Sequence, residues 1–158
     1  MAQTTTAEAR AGYKIEFSVD AAAWTDISGQ SNNVTIDGGD QLTGSQHTAD
    51  GTAPVVTNAN KTEAITVTVS CLYTETAAQA WRVVKDRYDG AAKTGAVRYS
   101  PKGGASTERR YVTANDAGTA IIVPIVNCIV PEGDAGSGDP LMFEFSVITP
   151  KLLEEAVP

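Results

Sequence analysis

The chain has 158 residues, 42% of them hydrophobic and 20% charged, which is enough for one domain with a true core. Its net charge of -7 argues against binding nucleic acid through the phosphates, because such binding depends on Lys and Arg that displace counterions. The N-terminus lacks the basic and apolar regions of a signal peptide, and the longest apolar run, 120–126, is too short for a membrane helix. We therefore expect no export by a signal peptide and no membrane partner.

The first third of the chain combines short strand patterns with polar turns. Residues 1–12 are rich in Thr and Ala and have no pattern, which predicts a flexible N-terminal arm. Apolar and polar residues alternate from Tyr13 to Val19, again over 24–27, and again over 33–37. This period of two predicts three strands at the start of a single domain that covers residues 13–149.

Residues 38–62 form a long stretch that is almost without periodicity. The stretch is rich in Gly, Thr and Asn, and it contains His47, the one His of the chain. Unstructured connections of this length are unusual inside a compact domain and are generally functional or disordered. We interpret this segment as a functional loop, and a mobile surface insertion is the alternative.

A long strand followed by one helix occupies the middle of the chain. Residues 65–73 alternate between apolar and polar, which predicts a strand with one buried face. Thr76 and Gln79 have the spacing of a capping box, and an apolar stripe of helical period follows. We predict a helix at about 76–89 that ends where Gly90 adopts a left-handed conformation.

The last third of the chain is again rich in strand patterns. Strands are predicted over 96–100, 109–113, 119–130 and 141–148, and residues 150–158 are predicted to be a C-terminal arm with a short amphipathic stretch. The predicted fold class is mainly β, a β-sandwich or barrel of about eight strands with one flanking α-helix.

The two cysteines, Cys71 and Cys128, both lie in strand patterns. They have no C-x-x-C spacing and no segment rich in His nearby. We expect two buried reduced thiols, and a disulfide between strands is the alternative.

No motif predicts an enzyme, a cofactor or a metal site. His47 is the only candidate base for a catalytic triad, and the carboxylates of Asp37, Asp40 and Asp50 lack the spacing of a calcium loop. Trp24 and Trp81 each lie on the apolar face of a patterned element, which favours core packing over a sugar-binding platform. We therefore assign no catalytic, cofactor or metal residues.

Charge is unevenly distributed along the sequence. Residues 16–50 contain six carboxylates and no Lys or Arg, whereas residues 82–110 contain eight basic and three acidic residues. If these segments form opposite patches, the patches could meet between copies in a head-to-tail contact, which closes into rings or extends as filaments. This distribution favours self-assembly.

The order of these features resembles the tail tube proteins, or major tail proteins, of phages with long non-contractile tails. The resemblance covers residues 13–149, including the stretch 24–36, the long loop, the strand that leads into the helix, and the strand 143–147. It implies a structural virion protein that assembles into hexameric rings, and these rings stack into the hollow tail tube through which the genome passes.

The resemblance also implies partners and contact residues. Neighbouring subunits would pair strands into a continuous inner barrel, and the loop would reach the adjacent ring. Candidate contacts between rings are Asp40, Gln41, Leu42, His47, Thr48, Val55 and Val56, and candidate acidic residues of the lumen are Asp37, Asp40 and Glu144. Implied partners are the tail tip or baseplate, the tail terminator, and a tape measure protein in the lumen. The implied location is the virion tail, assembled in the host cytoplasm.

Two alternatives remain at this point. One is a tube protein of a contractile tail or a type VI secretion system, which shares a related architecture. The other is a monomeric β-sandwich that binds a ligand such as carbohydrate through Tyr13, Trp24 and Tyr111.

Overall fold

Two antiparallel β-layers and one helix make up the fold in a computed structural model, which describes residues 12–158. In chain order, its elements are β1 (Lys14–Ser18), β2 (Thr25–Asp26), β3 (Ser31–Gly38), β4 (Gln41–Gln46), β5 (Val55–Thr62), β6 (Ile65–Leu72), α1 (Ala80–Asp89), β7 (Thr94–Ser100), β8 (Arg109–Ala114), β9 (Val123–Ile129), β10 (Met142–Thr149) and β11 (Lys151–Ala156).

The strands are arranged in two groups that meet at β7. One group has the order β2-β1-β7-β8-β11, and the other has the order β3-β6-β10-β9. The groups are connected where Thr94 and Gly95 of β7 pair with Pro124 and Val123 of β9. This arrangement confirms the predicted fold class, a mainly β sandwich with a single helix.

The core lies between the two groups. The inward residues of β6 and β10 are buried in alternate positions, as their sequence period predicts. Phe17 of β1 meets Phe145 of β10 edge to face, with ring centroids 5.8 Å apart. This contact across the sandwich holds the two groups together.

Helix α1 begins four residues later than the sequence predicts. Ala78 has a φ of 64°, a left-handed conformation that is incompatible with a helical turn, and Gln79 is the N-cap without a side-chain capping bond. Gly90 has a φ of -69°, so the predicted left-handed stop at this residue is wrong. The apolar stripe is as predicted, because Ala80, Trp81 and Val84 are buried against the core.

The predicted loop 38–62 contains two strands. β4 and β5 pair antiparallel and form a hairpin of their own, and every residue from Asp40 to Ala64 is exposed. Because neither face of this hairpin is buried, its sequence has no alternation that could reveal the strands.

Of the two predicted terminal arms, the structure describes only the C-terminal one in full. The N-terminal arm predicted for residues 1–12 lies almost wholly outside the described residues. The predicted C-terminal arm is instead the strand β11, which pairs with β8 from Lys151 to Ala156. Leu152 and Leu153 are half-buried there, so this chain's own sheet provides their partner surface.

Both cysteines are buried free thiols, as the sequence predicts. Burial raises the pKa of Cys71 to about 12 and that of Cys128 to about 11. The two residues flank β10, where Cys71 is opposite Phe143 and Cys128 is opposite Phe145.

Candidate assembly surfaces

The outward side of the group β3-β6-β10-β9 is a polar surface, which we call the polar face. Its hydroxyl groups form a ladder across neighbouring strands: the Oγ1 of Thr68 lies 2.8 Å from the Oγ of Ser146. In the next row, Ser70 donates a hydrogen bond of 3.3 Å to Glu144. The polar residues of this face are Asn33, Thr35, Asp37, Thr66, Thr68, Ser70, Asn127, Glu144 and Ser146, and the apolar Ile129 and Ile148 lie in the same rows.

The polar face carries carboxylates but no cations. None of its four strands contains a Lys or an Arg. Asp37 lies in the row of Thr66 and Ile148, while Glu144 lies in the row of Ser70. Two of the three predicted lumen residues thus share this face.

The third predicted lumen residue, Asp40, lies beyond a glycine corner where the chain leaves the sheet. Gly38 and Gly39 have φ values of 88° and 81°. A Cβ on Gly38 would stand 2.3 Å from the carbonyl oxygen of Ala64, so only glycine fits this position. Asp40 therefore belongs to the base of the hairpin and not to the polar face.

The sheet that carries the polar face is open at both edges within residues 12–158. β3 pairs only with β6, and β9 pairs with β7 through only two residues. Large apolar side chains are exposed at these edges: Ile36 of β3, and Val126 and Ile129 of β9, the last being 50% exposed. Open edges of this kind are able to pair with another chain.

The hairpin β4-β5 projects from the end of the sheet at the glycine corner. At its base, Glu63 N–H donates to the carbonyl oxygen of Asp40 at 2.9 Å. The seven predicted contact residues between rings are all exposed: Asp40, Gln41 and Leu42 lie near the base, Val55 and Val56 pair with Gln46 and Ser45, and His47 and Thr48 follow β4 toward the tip.

The charge segregation expected from the sequence does not persist in space. The basic segment 82–110 is largely neutralised inside the chain, because five of its cations form ion pairs. These cations are Arg82, Lys85, Arg98, Arg109 and Arg110. Most cations of this segment are therefore not available for the contact that we expected between acidic and basic segments of neighbouring copies.

The most buried of these pairs links the expected acidic and basic segments within one molecule. Arg98 Nε lies 2.6 Å from Glu16 Oε2, and Lys14 Nζ lies 3.1 Å from Glu16 Oε1. Burial raises the pKa of Glu16, but the hydrogen bonds and charges of Arg98 and Lys14 outweigh this effect and lower its pKa overall. Glu16 is therefore a stabilising part of the fold.

The aromatic residues considered for carbohydrate binding are engaged within the chain. The Arg98 guanidinium covers the ring of Trp24 at 4.4 Å. Tyr13 packs on Tyr99 and hydrogen bonds to Ser31, while Tyr111 donates to Glu154. These contacts remove the open aromatic platform on which the carbohydrate alternative depends.

The described part of the chain offers no grouping of residues that indicates a metal site. Among residues 12–158, no three His, Cys, Asp or Glu side chains are placed to hold a metal ion. In the same part of the chain, no helix is long and apolar enough to cross a membrane.

One feature of these surfaces is not predicted from the sequence. The sequence predicts an apolar strand over 119–130 but not which of its side chains are exposed, and the structure leaves Ile122, Val126, Ile129 and Val130 exposed. Pro124 lies in the same segment, and a Pro within a strand is typical of an edge, a bulge or a break.

The sequence matches no protein-family model and no curated protein. Solved structures do match in fold. A chain in the cryo-EM structure of the anti-feeding prophage tube-terminating cap has a TM-score of 0.63 and 10% identity, with 99% of this chain and 95% of that chain covered. A chain in the sheath-tube complex of an extracellular contractile injection system (PVC) has a TM-score of 0.61 and 10% identity, with 99% and 100% covered.

A third match comes from a gene transfer agent. A chain in the tail of the empty particle, refined with C6 symmetry, has a TM-score of 0.50 and 10% identity, with 99% of this chain and 100% of that chain covered. At these identities, the matches establish a shared fold over nearly the full length.

Proposed function

We propose that this protein is a structural tube subunit without catalytic activity, which assembles into hexameric rings that stack into a hollow tail tube. One observation carries the proposal: within residues 12–158, a sheet with a polar, cation-free outward face is open at both edges. Such a sheet can extend from copy to copy and thereby enclose a channel.

Ring closure follows from the two open edges. If β3 of one copy pairs with β9 of the next, each subunit satisfies one edge of its neighbour, and six copies close a barrel without any free edge. The contact is heterologous, because different surfaces meet, and such contacts form rings when the rotation closes. The exposed Ile36, Val126 and Ile129 would become buried in these contacts.

The polar face would then line the lumen. A DNA duplex carries one negative charge per about 1.7 Å, so a wall with Lys or Arg would retain it. Hydroxyl groups together with Asp37 and Glu144 offer no cation that would bind the phosphates. The proposed cargo is therefore a genome that passes without specific binding, and a tape measure protein would occupy the same lumen during assembly.

The hairpin β4-β5 would contact the adjacent ring. It buries no side chain within its own subunit, and it carries Leu42, Val55 and Val56 exposed, the last at 67%. Further proposed partners are a baseplate or tail tip at one end of the tube and a terminator at the other. The proposed location is the particle tail, assembled in the host cytoplasm.

The solved structures and the sequence resemblance point to different classes of tail. The resemblance implies a non-contractile tail, whereas the match with a TM-score of 0.61 comes from an extracellular contractile injection system. We favour a tube of the contractile class on this basis. Copurification of the native particle tests this choice: a sheath protein around the tube supports it, and a bare tube contradicts it.

Excision of the hairpin tests the proposed function. Asp40 and Glu63 are already hydrogen bonded, so an Asn-Gly turn can replace residues 41–62 without disturbing β3 or β6. We expect the variant to fold as a monomer with a cooperative unfolding transition and to lose only the circular dichroism signal of β4 and β5, but to form no tubes in negative-stain images where the wild type does. Normal tubes from the variant would contradict the proposal, as would a wild type that stays strictly monomeric even in the presence of its baseplate or tail-tip protein.

A further inference from the structure

A groove of about 1060 Å³ lies at the end of the sheet from which the hairpin projects. It is bordered by the end of β5, the start of β6 and the turn between β10 and β11. Its walls include the apolar side chains of Ile65, Ile148 and Leu152. Its charged lining residues are Lys61, Lys151 and Asp116, so the groove carries one net positive charge.

The two lysines of this groove differ from the other described cations. Neither Lys61 nor Lys151 forms an ion pair, a side-chain hydrogen bond or a ring contact within residues 12–158. Both are exposed. The groove thus brings together two cations for which the described part of the subunit supplies no partner.

The opposite end of the same sheet carries a loop with complementary chemistry. Residues 131–140 connect β9 to β10 and contain three exposed carboxylates and no Lys or Arg. These carboxylates are Glu132, Asp134 and Asp139, and none of them forms an ion pair in the described part of the chain. Apolar residues stand on either side of the loop: Val130 is 59% exposed and Leu141 is 47% exposed.

The two surfaces lie at opposite ends of one strand. The loop enters β10 at Met142, and the groove includes the other end of β10 at Ile148 and Thr149. A strand of this length spans roughly 26 Å. A surface that complements the far end of its own molecule makes a head-to-tail contact, which repeats without limit.

We propose that the acidic loop 131–140 of one copy binds in the Lys61–Lys151 groove of a copy in the next ring. The loop carboxylates would meet the two ammonium groups, and Val130 and Leu141 would cover the apolar wall of the groove. This inference rests on the proposed tube function, and it assigns the contact that fixes ring-to-ring register. The second copy is the occupant because both complementary charges and apolar surfaces belong to the same chain.

Charge exchange tests this contact. Reversal of the groove with Lys61→Glu and Lys151→Glu, or of the loop with Glu132→Lys and Asp139→Lys, is expected to raise the protein concentration needed for tube growth at least about tenfold, because like charges would then face each other. The variant that carries all four substitutions is expected to regain tube growth. Negative-stain images and sedimentation provide the readout at low and high salt.

Matched controls separate this contact from other causes of failure. Arg82→Glu with Lys93→Glu changes the charge by the same amount in helix α1 and in the connection that follows it, and it should leave tube growth unchanged. Circular dichroism of each variant monitors the fold. Normal tubes from both reversed variants, or failure of the fourfold variant to regain growth while its fold is intact, would overturn the inference but leave the tube function in place. Absence of any wild-type tube would instead overturn the proposed function.

Discussion

The backbone of Gly95 passes directly beneath the ring of Phe17. A Cβ on Gly95 would stand 2.4 Å from Phe17 Cζ, closer than any two packed carbon atoms approach. Gly95 is also one of the two residues through which β7 pairs with β9. Because residue 95 has no side chain, the Phe17 ring can pack directly against the backbone at the junction between the two strand groups.

Gly95→Ala is expected to destabilise the subunit by about 1–3 kcal/mol, because the added methyl group forces the Phe17 ring or the strand junction to shift. Urea unfolding of the monomer measures the effect. Gly133→Ala is the matched control, since a Cβ at that position meets nothing within 4 Å. Equal stability of the two variants would contradict the close packing at Gly95.

Glu16 is expected to make stability depend on pH. Because its pKa is lowered in the folded state, its contribution is present above the unfolded pKa, near 4.5, and is lost as pH falls through the folded pKa. Glu16→Gln should cost about 1.5–3 kcal/mol at pH 7, and the difference from wild type should shrink on acidification. Thermal unfolding between pH 7 and strongly acidic conditions provides the measurement. A difference that is independent of pH would show that the ionised carboxylate is not the stabilising species.

The two cysteines are expected to be inert while the protein is folded. Both thiols are buried, and the raised pKa values of Cys71 and Cys128 leave almost no thiolate at neutral pH. A thiol reagent such as iodoacetamide should modify neither residue in the native protein and both in denaturant, as read by mass spectrometry. Rapid labelling of either cysteine in the native protein would contradict the packing around β10.

The open edge at β3 gives a direct prediction for ring formation. Ile36→Lys places a charge on an edge that the proposal buries, so rings and tubes should be lost while the monomer stays folded. Ile36→Val keeps an apolar branched residue and should assemble as the wild type does. Assembly by the Lys variant at wild-type concentration would exclude β3 from the contact.

Much of the core was predictable from the sequence because its physical cause is local. β6 and β10 bury alternate residues, and the pattern of Val67, Val69, Phe143 and Phe145 reveals both strands. The stripe of α1 is visible for the same reason. In each case, one face of a single element meets the core.

The remaining features depend on partners that a local pattern does not show. The hairpin β4-β5 buries neither face, so its strands leave no periodic signal. β11 has no strand pattern of its own, because its stabilising contacts, such as the 2.6 Å pair between Arg110 and Glu155, join residues that lie far apart in sequence. The same reason explains why charges segregated along the chain are paired in space.

Cryo-EM of the assembled protein, at a resolution that shows side chains, tests the central claim most directly. The account predicts a hollow tube of six-subunit rings in which β3 of one copy pairs with β9 of the next and Asp37 and Glu144 face the channel. A tube whose channel is lined by the β1-β7-β8-β11 group would contradict the account, as would a protein that remains monomeric under every assembly condition.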